Sequence, residues 1–184
     1  VRVYTNAGAA TSSTVRVNDL RTGDRDTPSA IKPLTDGGFA IVWKDDEDNT
    51  GNLDDYFARA YNANGTPRNP SIIVGGAASD ALFDDLDANG HGMAALSDGG
   101  YAVAIRVRDS ANNGTGTSLD GVAPNGGYSA AVRVFNADGT SRAGPFFPYG
   151  DINPDFSGNQ NTPMVCAIAG GGFAVTWHSN FNTN

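Results

Sequence analysis

Apolar residues in this chain come in short runs placed behind glycine pairs. Residues 34–43 read LTDGGFAIVW, residues 96–105 read LSDGGYAVAI and residues 168–177 read IAGGGFAVTW. A glycine pair supplies the positive-φ positions of a tight turn. The run behind it is short and rich in β-branched and aromatic residues, so each run reads as a β-strand. Phe39, Ala40, Ile41, Val42 and Trp43 are consecutive and all apolar. A strand that does not alternate is expected to be covered on both faces.

The same order of polar and apolar segments surrounds each run. Before it comes a polar turn and a short apolar strand: residues 23–31 (GDRDTPSAI), 87–95 (DANGHGMAA) and 158–166 (GNQNTPMVC). That strand is expected to form a hairpin with the run. After it, residues 56–66 (YFARAYNANGT) parallel residues 130–140 (AAVRVFNADGT), and VRVY at residues 1–4, with Asn6 and Gly8 behind it, is a third version. This strand alternates better, which makes one face partly polar. Asn-x-Asx-Gly then closes a turn with glycine in the left-handed region. A weaker fourth strand is expected at residues 14–17, 71–74 and 144–149; Pro145 and Pro148 confine the last to a sheet edge.

These segments predict an all-β chain of antiparallel four-stranded repeat units, β-propeller-like blades, with a β-sandwich as the alternative. Unit-level repetition argues against the sandwich. Residues 24–75 and 87–150 are complete units, residues 1–17 the second half of one and residues 159–184 the first half of another. The chain then reads as a single repeat region, 1–184, and as a piece of a longer protein. Propellers use roughly four to eight blades, so closure requires further repeats of the same protein or another copy. Half-units expose strand edges, and such edges recruit strands; self-association is the expectation.

Composition narrows the function. The formal net charge of −8 leaves no clustered Lys and Arg for phosphate, which excludes nucleic acid. No apolar run has membrane-spanning length. Cys166 is the single cysteine, so no internal disulfide forms; in its apolar strand it is expected to be a small buried hydrophobe. Scarce lysine with abundant Gly, Asn and Asp suits a bacterial protein that is extracellular or on the cell surface. No catalytic or cofactor-binding set assembles: His91 lies in a Gly-rich turn, His178 at a strand end, and neither has metal-site spacing. Trp43, Trp177, Tyr56 and Tyr128 have the chemistry to stack on sugars or to fill a core. A carbohydrate-binding propeller and a non-catalytic segment of a larger secreted enzyme are therefore the alternatives to a structural module.

The sharpest chemical pattern is the acidic loop DEDNTGNLD at residues 46–54, which fits D-x-D-x-[DNT]-G-x-x-D. Oxygen atoms at alternate positions wrap a hard cation, and the glycine permits the sharp turn. Without a cation it is a solvated hairpin loop whose carboxylates repel. The loop resembles the short calcium loops of bladed repeat proteins. That resemblance implies side-chain oxygens from Asp46, Asp48, Thr50 and Asp54 and the backbone carbonyl of Asn52. A weaker second loop holds Asp85, Asp87 and Asn89, but its ninth position is Met93, which cannot close the shell.

The wider pattern also carries a resemblance. Gly158, Gln160 and Pro163 precede GGFAVTW at residues 171–177, and Tyr56, Arg59 and Tyr61 precede Asn-Ala-Asn-Gly-Thr at residues 62–66. The chain resembles the repeats of very large bacterial surface and secreted proteins of the RTX, type I-secreted adhesin kind. The resemblance implies an extracellular, non-enzymatic, often calcium-stabilised module with a structural or adhesive role. The second copy departs from the pattern, lacking the proline and ending at Ile105 in place of tryptophan.

Overall fold

The computed structural model describes residues 1–18, 27–46, 54–74, 92–108, 128–148 and 160–179. These residues are all-β, with ten strands and no helix among them. The strands are β1 (Thr27–Pro33), β2 (Phe39–Asp46), β3 (Asp54–Tyr61), β4 (Ile72–Ile73), β5 (Met93–Ala95), β6 (Tyr101–Arg108), β7 (Tyr128–Phe135), β8 (Ser141–Phe146), β9 (Gln160–Ala167) and β10 (Phe173–Ser179). They form two four-stranded antiparallel sheets in the orders β1-β2-β3-β4 and β5-β6-β7-β8, and the hairpin β9-β10. Residues 1–18 hold no named strand, but Tyr4 bridges Ala10. There Thr11 N–H donates to the Val3 carbonyl at 2.9 Å and Val15 N–H to that of Val1 at 2.8 Å.

The three glycine turns close with the same hydrogen bond, but the third has its own backbone, with Gly170 and Gly172 both at φ 89° where Asp36, Asp98, Gly38 and Gly100 are not left-handed. The amides of Leu34, Leu96 and Ile168 donate to the carbonyls of Gly38, Gly100 and Gly172, at 2.8, 2.8 and 3.2 Å. Gly37, Gly99 and Gly171 sit at φ 86°, 91° and 97°. Pro33 pairs with Phe39, Ala95 with Tyr101 and Ala167 with Phe173. The second glycine has a separate reason in the two full sheets: a Cβ on Gly38 or Gly100 would collide with the carbonyl oxygen of Tyr61 or Phe135 on the third strand. At Gly172 a Cβ would meet only the Ile168 side chain, at 3.8 Å.

The sheets stack face to face. Phe39, Ile41, Trp43, Phe57 and Tyr61 point back toward Val1 and Val17. Ala40, Val42, Ala58 and Ala60 point forward onto Tyr101, Val103, Ile105 and Phe135 of the next sheet. Ala102, Ala104, Val132 and Val134 in turn face Val165, Phe173 and Val175 of the hairpin. Large side chains of sheet two and of the hairpin thus meet alanines of the layer before. This two-faced packing is why the runs behind the first two glycine pairs are apolar without alternation.

Two expectations are corrected here. The third run is covered on one face only: Ala174, Thr176 and His178 are exposed while Phe173 and Val175 are half-buried. Sheet two covers one side of the hairpin, and no described residue covers the other. Cys166 is exposed and not core, because it lies opposite Ala174 on that uncovered face. The proline-bearing fourth strand, β8, does lie at a sheet edge.

Gly100→Ala is expected to lower stability by roughly 1–3 kcal/mol, the usual cost of overpacking a close contact. Urea denaturation measures it, and an unchanged midpoint would show that the third strand does not need the glycine.

Candidate functional site

The acidic loop sits on a defined base. In the ladder of β2 and β3, Asp45 faces Asp55 and Asp46 faces Asp54, so the first and last positions of the loop pattern converge. The side chains of Asp46 and Asp54, and all of Asp48, Thr50 and Asn52, lie outside the described residues. So do Asp85, Asp87 and Asn89 of the second loop, and His91. Among the described residues no group of three His, Cys, Asp or Glu is placed to hold a metal.

The remaining sequence candidates separate in space. Cys166 pairs across the hairpin with Ala174, whereas His178 pairs with Asn161, so they are not cross-strand neighbours. Trp43 and Tyr56 are 2% and 1% exposed, and Trp43 stacks on Phe57 with ring centroids 5.8 Å apart. Both are core and present no face to a sugar. The Tyr128 side chain lies outside the described residues.

Polar clamps that the sequence reading did not single out tie the layers together. In the first glycine turn, Asp36 Oδ1 accepts from Gly38 N–H at 3.0 Å. Arg68 grips the same carboxylate with Nη1 on Oδ2 at 2.7 Å and Nη2 on Oδ1 at 3.0 Å. Asp98 and Arg142 repeat this in the second sheet, with Gly100 N–H at 3.0 Å and Arg142 Nη1 at 2.6 Å. Arg68 then reaches the next sheet, donating to the Ala137 carbonyl at 2.7 Å, while Asn69 Nδ2 donates to the Gly139 carbonyl at 3.1 Å. A second device links strand three to the layer before it: Arg59 Nη1 donates to the Val17 carbonyl at 2.9 Å and Arg133 Nη1 to the Ile73 carbonyl at 2.6 Å. The signal for the clamps was present, an Asp before each of two glycine pairs and an Arg three residues past each turn glycine. Gly170 stands in the Asp place of the third copy.

The stack ends in an open site. A cleft of about 390 Å³ lies between sheet two and the hairpin, lined by Asp98, Val134, Arg142, Phe146, Gly172 and Phe173 among others. Beside it runs the outer edge of β10, whose neighbour among the described strands is β9 on the opposite side. The cleft offers apolar walls, a guanidinium and a strand edge, which is chemistry for binding polypeptide. Comparison with known protein families, curated proteins and solved structures finds no match for this chain.

The Arg68 hydrogen bond holds the Asp36 carboxyl below its ordinary value of 3.8, and Arg142 does the same for Asp98. A lowered carboxylate pKa contributes stability that is present above the unfolded value and lost as pH falls through the folded one. Stability is therefore expected to drop as pH falls below 3.8, less so in an Asp36→Asn, Asp98→Asn variant. These carboxylates are about half exposed, so each clamp is worth only roughly 0.2–1 kcal/mol. Urea midpoints between pH 5 and 2.5 measure the difference between the curves.

Proposed function

We propose that this chain is a non-enzymatic, extracellular structural or adhesive module whose sheets are propeller-like blades that stack on further units. What supports the reading is the recurrence of one interface. An apolar face of each layer packs on the layer before it: sheet one on Val1 and Val17, sheet two on the alanines of sheet one, and Phe173 and Val175 of the hairpin on those of sheet two. Such an interface is indifferent to which unit comes next, as expected of repeat proteins whose units contact only their neighbours. The resemblance to RTX-type adhesin repeats and the acidic, lysine-poor composition support a location outside the cell.

In this reading calcium stiffens the Asp46 to Asp54 loop. The facing of Asp46 and Asp54 across the β2–β3 ladder suits a ligand set that must close on itself. Calcium would neutralise the loop carboxylates and bind the folded form alone, raising stability by about 2.7 kcal/mol at a hundredfold excess over its dissociation constant.

Light scattering at micromolar concentration tests the stacking reading. Associated species are expected, and a monodisperse monomer at every concentration rejects it. For the loop, millimolar calcium is expected to raise the melting temperature relative to a chelator, and Asp46→Ala or Asp48→Ala to abolish the rise. An unchanged melting temperature in the unsubstituted protein rejects the site.

A further inference from the structure

Each full sheet carries one stacked aromatic pair at the same place. Phe39 stacks on Tyr61 with centroids 5.1 Å apart, and Tyr101 on Phe135 at 4.7 Å. In both, the first residue of the second strand faces the last residue of the third, just before the Asn-x-Asx-Gly turn. Phe173 opens β10 at this place and has no ring partner among the described residues. Tyr4 precedes a turn of the same form. Thr5 N–H donates to the Ala9 carbonyl at 2.8 Å, as Asn62 does to Thr66 and Asn136 to Thr140, both at 2.9 Å. Gly8, Gly65 and Gly139 sit at φ 81°, 85° and 86°. Yet Tyr4 is 55% exposed where Tyr61 and Phe135 are fully buried, and the Arg2 guanidinium lies over its ring, 5.8 Å from the centroid.

We propose that the cleft beside Phe173 is a socket for residues 1–8 of a second copy of this chain, with Phe173 stacked on that copy's Tyr4. The proposal rests on the stacking reading above and adds the register. The pairs Phe39–Tyr61, Ala40–Ala60, Ile41–Arg59 and Val42–Ala58 of sheet one translate into Phe173–Tyr4, Ala174–Val3, Val175–Arg2 and Thr176–Val1. Two further features of the socket fit. Arg142 stands where Arg68 donates to the Ala137 carbonyl, so it meets the corresponding carbonyl of Asn6. Arg2 takes the place of Arg59 and Arg133, which donate to the Val17 and Ile73 carbonyls of the layer before; here that layer presents β8.

The occupant is a second copy because the two halves in one chain lie at opposite ends of the stack. Val1 and Val17 pack on the outer face of sheet one, Phe173 and Val175 on the outer face of sheet two. Joining end to end is a heterologous contact, which generates a ring or a filament. The sheet it completes has β9 and β10 from one chain and the strand and turn of residues 1–17 from the next.

A cross-link reads the register directly. Ala174 and Val3 would form a non-hydrogen-bonded pair, with Cα atoms about 4.5 Å apart, within disulfide reach. Two differently tagged chains are mixed and mildly oxidised, one Val3→Cys and one Ala174→Cys, both with Cys166→Ser because Cys166 faces Ala174. A disulfide-linked heterodimer is expected, at least tenfold more abundant than with Thr176→Cys in place of Ala174→Cys. Tyr4→Ser, at an exposed position, is expected to leave the circular dichroism spectrum unchanged and weaken association at least tenfold. Association that persists without the Val3–Ala174 cross-link, or undiminished by Tyr4→Ser, overturns this socket and leaves stacking intact. An internal cross-link in a chain carrying both cysteines also overturns it. A monomer at all concentrations removes the stacking reading and this inference with it.

Discussion

Large side chains set against small ones hold this protein together. Sheet two turns aromatic and branched residues back onto alanines of sheet one, with Tyr101, Val103 and Phe135 against Ala40, Ala58 and Ala60. The alanines let the next layer approach, and the large residues fill the space that they leave. Fully burying a Val, Ile or Phe side chain stabilises by roughly 1.5–3 kcal/mol. A half-exposed ion pair such as Asp98–Arg142 contributes roughly 0.2–1 kcal/mol. The stack therefore stands on its apolar faces, and the polar clamps decide how its layers are aligned.

Alignment is nonetheless closely specified. Apolar faces alone tolerate sliding, since burial has no direction. The clamps remove that freedom on both sides of sheet one. Asp36 ties its glycine turn to Arg68, and Arg68 ties that turn to the next sheet through the Ala137 carbonyl. Arg59 and Arg133 look the other way, to carbonyls of the preceding layer. Sheet one is thus located against residues 1–18 and against sheet two by hydrogen bonds to backbone atoms, which are present whatever side chain stands there.

The uncovered end follows from the same constraint. Ala174 and Thr176 correspond to Ala40 and Val42, which lie under sheet two, yet they face outward. Cys166 and Met164 share that exposure, Met164 at 38%. The hairpin has two strands where each sheet has four, and the cleft lies between it and sheet two.

The sequence alone determined the strands, their antiparallel order and the turns that join them. These are local matters: Gly-Gly and Asn-x-Asx-Gly dictate turn geometry within a few residues, and unbroken apolar runs announce coverage on two faces. Tertiary structure decided what covers each face. Residues 39–43 and 173–177 look alike as sequence, but only the first has a layer on each side, so Cys166 and Ala174 came out exposed against expectation. It likewise decided the partners of Arg68 and Arg142. Their Asp36 and Asp98 lie 32 and 44 residues away in sequence, and such a contact is created by the stacking of strands. The acidic loop stands between the two cases: its spacing is written in the sequence, and the ladder brings Asp46 opposite Asp54.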